Sequence, residues 1–346
     1  MKYTKLIVIS GQLNSVDGNV SKQYIYKSLK EACKTLNIEH ILFDAFSLKY
    51  EKTDDGIYHI SDNNNSYEIS VNDCPSSIVY SRYVNESKIA QDLINSFEAD
   101  KCLIINPFSK IHISSNKYLL AELLNKENIP QARYQLLSAS DIDDDDVKKK
   151  AFNKKLDAIY PDVVDEEKKD KLEYIVKALD GYDSKGIFLC SRKNILSIMQ
   201  AIFKINEDLN RKLPSTSKKT PLKKFLLQEK MNSNSGDIKV HVITMGDNQK
   251  IIFAHQASKN KNDFRSNVSE NSESLKEKKL SPEQEELVYK TAKASGLIWS
   301  TVDLMETDKG TKVIEYNSTP GDMYWISKAM NDQNIFELVL KFIEEN

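Results

Sequence analysis

Strand-like and helix-like runs alternate through the first 108 residues, and this alternation restricts the fold more than any single motif. Lys5–Ile9 reads as a buried strand that ends at Gly11 in a polar loop reaching Gly18. Ile25, Leu29, Ala32 and Leu36 then recur at helical spacing, and Glu39–Phe43 reads as a second strand. A polar hairpin-like region follows around Asp54-Asp55-Gly56 and Asp62–Ser66. After it come a strand at Ser77–Tyr80, a helix near Glu86–Phe97 and a strand at Cys102–Asn106, closed by Pro107. Strands separated by helices pair in parallel, because a parallel neighbour needs a long crossover. A small parallel α/β domain over 1–108 is therefore expected. It carries no G-x-G-x-x-G fingerprint, so the sheet licenses no dinucleotide site.

Beyond it, a helix at Asn116–Asn125 leads through Ile129-Pro130 to a strand at Tyr134–Leu137. Charge blocks at Asp143–Asp146, Lys148–Lys150 and Asp165–Asp170 make 141–171 read as a solvated insertion. The basic stretch Arg211–Lys224 reads either as a solvated loop or as an anion-binding segment. Strands at Phe225–Gln228, Ile238–Thr244 and Ile251–Ala257 follow. Ser281-Pro282-Glu283-Gln284 then starts a helix with an N-cap, an N1 proline and a capping-box glutamine, and Gly296 ends it. Strands at Ser300–Met305 and Lys312–Tyr316 precede a last amphipathic helix at Ile335–Glu344.

Counts remove several classes of function. Lys plus Arg total 49 against 51 Asp plus Glu, a net charge of −2, so no basic excess invites nucleic acid or an anionic membrane. No apolar run approaches a membrane span, and Met1–Ile9 lacks a signal-peptide core. Cys33, Cys74, Cys102 and Cys190 show no C-x-x-C spacing, and the five histidines form no metal-ligand pair. A cytoplasmic protein with reduced thiols is expected.

The sharpest geometric reading concerns Asp303, Glu315 and Asn317. Asp308-Lys309-Gly310 reads as a three-residue hairpin loop with glycine in the left-handed region. Residue 309 is midway between 303 and 315, so symmetric antiparallel pairing sets Asp303 opposite Glu315, and Asn317 shares their face. Facing carboxylates repel unless a cation joins them. Oxygen ligands of this kind suit Mg²⁺ bound together with phosphates. A polar, solvent-facing sheet surface satisfies the same spacing equally well.

Glycine is scarce, ten in 346 residues against roughly 7% on average. Two of the ten, Gly181 and Gly186, fall with Ser184 in the loop between a strand ending at Lys177 and the strand Ile187–Cys190. Such a loop lets backbone N–H groups approach phosphate, although an ordinary hairpin turn would read the same way.

Taken in order, these pieces resemble the ATP-grasp superfamily, and within it the RimK-like carboxylate–amine ligases, from about Ile104 to the C-terminus. The resemblance runs through Ile105-Asn106-Pro107, Asn116-Lys117, Ile129-Pro130, Lys177 with Gly181 and Gly186, and Gln228-Glu229-Lys230. It continues through Asp237-Ile238-Lys239, Asp263-Phe264-Arg265-Ser266-Asn267, Val302-Asp303 and Glu315-Tyr316-Asn317-Ser318-Thr319-Pro320-Gly321. It implies an α/β (α+β) ATP-grasp fold with a Rossmann-like N-terminal domain at 1–108. A central lid subdomain at 109–227 and a C-terminal subdomain at 228–346 would clasp ATP. It also implies that Lys117, Lys177, Gly181, Ser184, Gly186, Gln228, Glu229, Lys230 and Asp237 contact the nucleotide. Arg265 and Asn267 would hold the terminal phosphates and act in catalysis, and Asp303, Glu315 and Asn317 would bind Mg²⁺ (or Mn²⁺).

The implied reaction is ATP-dependent ligation through an acyl phosphate, which an amine or hydroxyl attacks. The carboxylate would belong to a peptide, a protein tail or an amino acid; no nucleic acid or membrane takes part, and a homo-oligomer stays open. Three residues are candidates on the substrate side. Arg82 follows a strand at the ligand-binding end of the first domain, Lys239 stands where the family has arginine, and His255 stands near another family arginine. Trp299 reads as core, and His241 as a satisfied sheet histidine. Val268-Ser269-Glu270-Asn271 replaces the family's His-Arg-Gly-Gly, which separates the substrate from that of the ribosomal-protein glutamate ligases. A non-catalytic ATP-binding module on the same fold, working by nucleotide-gated association, is the alternative.

Overall fold

The computed structural model describes residues 3–11, 20–84, 87–142, 146–179, 186–212, 224–233, 235–256, 275 and 277–346. It opens with β1 (Lys5–Ser10), α1 (Val20–Leu36) and β2 (Glu39–Asp44). The polar hairpin region is an antiparallel meander of β3 (Lys49–Lys52), β4 (Ile57–Ser61) and β5 (Ser66–Ser70). β6 (Ser77–Arg82), α2 (Lys88–Ala99) and β7 (Leu103–Ile105) complete the unit. The main sheet, ordered β2-β1-β6-β7, is parallel throughout, as the alternation predicted. Both of its faces are covered, which explains the near-continuous apolar strands. Ile7, Ile9 and Val79 pack toward α2, while Leu6, Val8 and Tyr80 pack toward α1. Strand order reverses between β1 and β6, and open α/β sheets bind ligands at the carboxyl ends beside such a reversal. Ser10 and Arg82 are register partners at that end.

α3 (Phe108–Ser115) and α4 (Lys117–Lys126) come next, with Asn116 capping α4 through its side chain. Ile111, Leu120 and Leu124 pack with the C-terminal sheet, so residues 108–130 share its core although the sequence reading grouped them with the central unit. The central sheet, ordered β10-β9-β11-β8, contains β8 (Tyr134–Ser138), β9 (Glu173–Ala178), β10 (Ile187–Ser191) and β11 (Lys224–Glu229). It is backed by α5 (Asp146–Ile159) and α7 (Ile195–Lys212), with the short α6 (Glu166–Lys169) between α5 and β9. Here the expected solvated insertion is corrected. Phe152, Leu156 and Ile159 of α5 are 0–3% exposed and belong to the core of this sheet.

The C-terminal sheet, ordered β13-β12-β14-β15, is antiparallel. Its strands are β12 (Ile238–Met245), β13 (Asn248–Gln256), β14 (Trp299–Thr307) and β15 (Gly310–Asn317). α8 (Pro282–Ser295) covers it and starts with the predicted capping box: Ser281 Oγ accepts from Gln284 N–H while the Gln284 side chain accepts from Ser281 N–H. Ser281→Ala is expected to cost about 1 kcal/mol, read as a lower urea midpoint. α9 (Met323–Ala329) and α10 (Ile335–Glu345) end the chain. They pack on α1, so Leu6, Leu29, Tyr80, Trp299, Ile326 and Phe336 share one hydrophobic cluster across the N- and C-terminal parts. No helix among the described residues is long and apolar enough to cross a membrane.

Candidate functional site

Asp303 occupies the middle of β14, with Lys239 of β12 on one side and Glu315 of β15 on the other, all in register. The facing of Asp303 and Glu315 agrees with the hairpin arithmetic, but two features produce it together. Pairing starts at Thr307 and Gly310, one residue short of the symmetric register, and Gly310 takes φ +95°. A bulge at Ile314 then restores the missing residue. Thr301 pairs with Asn317, which therefore shares the face of Glu315.

Asp303 is 3% exposed. Its Oδ2 accepts from Lys239 Nζ at 2.9 Å, whereas its Oδ1 is buried with no partner among the described residues. Burial pushes Asp303 up to about 6, and Glu315 and Asp237 add to this against the pull of Lys239. Lys239 itself is held well above the usual lysine range by Asp303. An orphaned, buried carboxylate oxygen beside a second carboxylate and an amide fits a hard cation that completes its shell with water or phosphate oxygens. Among the described residues, no three His, Cys, Asp or Glu side chains form a metal cage by themselves.

Two more lysines approach from other elements. Lys117, in the first turn of α4, places Nζ 3.4 Å from Glu315 Oε1. Lys177, at the end of β9, has its pKa lowered by burial and by Lys117, with Glu315 opposing the shift. Lys117, Lys177, Gln228 and Glu315 line one narrow cavity of about 20 Å³ with Leu226 and Val313. That volume holds one or two waters. A larger cavity of about 880 Å³ lies over the outer edge of β8, beside Arg133, Tyr134 and Lys155, and contains none of this cluster. The candidate charged residues Lys117, Lys177 and Glu315 are at the narrow one. Lys239 and Asp303 are outside its lining but connect to it through Glu315, the register partner of Asp303, and lysines gathered around carboxylates in this way suit an anion held together with a cation.

Other candidates are placed differently. Glu229 is buried, and its Oε1 accepts from Lys312 Nζ at 2.7 Å and from Arg133 N–H at 3.1 Å, so its carboxylate is committed to holding β11 against β15. No sequence signal pointed to Lys312. Lys230 pairs with Glu173, and its N–H donates to Tyr160 Oη at 2.9 Å. Asp237 is buried just before β12 and acts electrostatically on Lys177 and Asp303. His255, opposite Lys239, is fully buried; burial and Lys239 lower it to about 4, so its ring is neutral. His241 lies 6.0 Å from it, nearly parallel, and is also neutral by burial.

Arg82 is 3% exposed rather than open to solvent, and donates from Nη1 to Tyr80 Oη at 2.8 Å and to the Pro320 carbonyl at 3.2 Å. Gly186 takes φ +75°, and a Cβ there would come 2.9 Å from Ala178 Cβ. Gly181, Ser184, Arg265 and Asn267 lie outside the described residues. Asn106 plays a part its Asn-Pro motif only hinted at. Its amide donates to the carbonyls of Trp299 (2.6 Å) and Ser318 (2.7 Å) and accepts from Ile298 and Trp299 N–H, pinning the turn that follows Asn317.

Comparison with known proteins gives a consistent picture. Residues 114–339 match the model of the RimK-like ATP-grasp domain. Probable α-L-glutamate ligases of Legionella pneumophila (strain Corby) and Coxiella burnetii (strain Dugway 5J108-111) are each 29% identical to this chain, over 173 and 174 residues. These matches cover 49% and 50% of this chain, which spans about half the length of the curated relatives it matches. Similar solved structures include the ATP-grasp ligase PsnB complexed with minimal precursor, with a TM-score of 0.64, 16% identity and 99% of both chains covered. D-alanyl-alanine synthetase A from Vibrio cholerae O1 is similar with a TM-score of 0.57, 15% identity and 100% of both chains covered. At these identities the likeness is one of fold.

Proposed function

The chain belongs to the RimK-like ATP-grasp family, and from that premise we propose that it joins a carboxylate to an amine by way of an acyl phosphate, consuming ATP. The observation that carries this reading is the orphaned Asp303 oxygen, set in register with Glu315 and beside Lys117, Lys177 and Lys239. Lys117 and Lys177 offset the charge of the triphosphate, so an anionic carboxylate approaches the γ-phosphorus in line. Asp303, Glu315 and Asn317 would hold Mg²⁺ or Mn²⁺, which when bound stabilises charge on the phosphate oxygens. Gln228 and the backbone of 229–230 would face the base. Gly181, Ser184 and Gly186 would cover the phosphates, and Arg265 and Asn267 would contact the terminal one.

Attack of the carboxylate oxygen on the γ-phosphorus breaks the bond to ADP; an amine then attacks the acyl carbon and phosphate leaves. Water must be excluded meanwhile, because it would hydrolyse the acyl phosphate. Closure over the bound nucleotide would exclude that water. The relatives are named as α-L-glutamate ligases and PsnB was solved with a peptide precursor. We therefore take the carboxylate to be that of an amino acid, a peptide or a protein tail, with Lys239 on its side of the site and the buried Arg82 and His255 behind it.

The test is ADP release with Mg-ATP, hydroxylamine as a trapping nucleophile, and a panel of free amino acids and glutamate-ended peptides. At least one carboxylate is expected to give a hydroxamate by mass spectrometry. Tight Mg-ATP binding without ADP release or hydroxamate across the panel would overturn the ligase reading in favour of a nucleotide-gated binding module.

A further inference from the structure

Of the three oxygen ligands assigned to the cation, Asn317 stands in the least secure place. Asp303 and Glu315 lie within the paired length of β14 and β15, whereas Asn317 is the last residue of β15, opposite Thr301, where the pairing stops. β15 is also an edge strand of its sheet. The terminal residue of an edge strand is held by a ladder on one side only, and such ends fray before the interior of a strand does. A ligand set there needs a hold from outside the sheet.

Asn106 supplies that hold. It follows β7 directly, is 2% exposed, and uses every hydrogen-bonding position of its amide. Nδ2 donates to the carbonyl of Trp299, the first residue of β14, at 2.6 Å, and to the carbonyl of Ser318, next after Asn317, at 2.7 Å. Oδ1 accepts from Ile298 N–H at 2.7 Å and from Trp299 N–H at 3.0 Å. Two donors and two lone pairs on one short side chain are what an amide offers and a carboxylate or hydroxyl does not. One side chain thereby bridges the open end of the β14–β15 pair. Arg82 adds a second hold two residues further along, donating to the Pro320 carbonyl at 3.2 Å. Arg82 ends β6 and Asn106 follows β7, which are neighbours in the parallel sheet, so one edge of that sheet grips the whole turn. The N- and C-terminal parts are already joined by the apolar cluster around Trp299, so the amide is not needed merely to keep them together.

Resting on the cation site of the ligase reading, we propose that Asn106 is a positioning residue for that cation. It acts through Asn317, fixing the backbone so that the Asn317 side-chain oxygen stays level with the carboxylates of Asp303 and Glu315. Groups that orient a ligand from behind change cation affinity by about 10–100-fold when they are removed.

Mn²⁺ is the probe, titrated by electron paramagnetic resonance with a non-hydrolysable ATP analogue present, so the readout needs no turnover. Asn106→Ala is expected to raise the Mn²⁺ Kd about 10-fold or more. The Kd of the analogue without Mn²⁺ should stay within about 3-fold, because the nucleotide lysines are untouched. In an Asn317→Ala background, Asn106→Ala is expected to change the Mn²⁺ Kd by less than about 2-fold, since two residues that act as one unit are not additive. A Kd within about 3-fold of wild type for Asn106→Ala, or an undiminished second loss on top of Asn317→Ala, would overturn the positioning role. So would a wild type that binds no Mn²⁺ with the analogue. A wild type that binds Mn²⁺ and the analogue but gives neither ADP nor hydroxamate would overturn the ligase reading alone. Asn106→Ser provides the same comparison if the alanine variant fails to fold.

Discussion

Glu315→Gln is expected to lower ADP release about 10³-fold at saturating Mg²⁺, equivalent to about 4 kcal/mol of barrier. The substitution keeps the side-chain volume and removes one negative charge from the centre of the site. That charge is opposed by Lys117 at 3.4 Å and by the buried Lys177, and it faces Asp303 across the pair of strands. A neutral amide offers a hard cation a weaker ligand, and the lysines are left to repel one another. The effect on folding should be small, because the Glu315 side chain is 43% exposed and exposed ion pairs contribute at most about 1 kcal/mol. Loss of turnover with a nearly unchanged urea midpoint is therefore the expected pattern. Turnover within about 3-fold of wild type would remove Glu315 from the reaction.

Trp299→Ala should do the reverse, costing about 3–5 kcal/mol of stability. Trp299 is 1% exposed, stacks on Tyr80 at 5.8 Å and meets Phe336 edge-on at 5.3 Å. It thus joins the N-terminal sheet, β14 and α10 in one contact. Its Nε1 is buried without a partner among the described residues, so truncation also removes an unsatisfied donor and offsets about 1 kcal/mol of the loss. The measurement is the urea unfolding midpoint. A change below about 1 kcal/mol would mean that the surrounding rings collapse into the space.

How much could be read from the chain depended on whether the signal was local. The parallel sheet was legible because each of its strands and the helices between them is a separate periodic run. The pairing of Asp303 with Glu315 was legible because a hairpin relates residues by simple arithmetic, although a short turn and a bulge produced the register jointly. α5 was missed because charge blocks surround Phe152, Leu156 and Ile159, whose spacing is helical even though the segment is strongly polar. α3 was missed because it follows Pro107 directly and buries only Ile111. The grip of Lys312 on Glu229 and the burial of Arg82 are tertiary facts between distant segments, with no imprint on local pattern.

The hydrophobic cluster shared by α1, Trp299, α9 and α10 decides which part of the molecule is free to move. The parallel sheet and the carboxylate-bearing sheet are welded into a single anvil, so they cannot part without exposing that cluster. On the proposed ligase reading, admission of a nucleotide would fall to the four-stranded central sheet, which has its own core, acting as a jaw. It is tied to the carboxylate-bearing sheet where β11 ends, at the Glu229 carboxylate that accepts from Arg133 N–H and from Lys312. The Lys312 contact comes from β15, three residues before Glu315, so it would tie the stiffness of that jaw to the strand that carries the carboxylate.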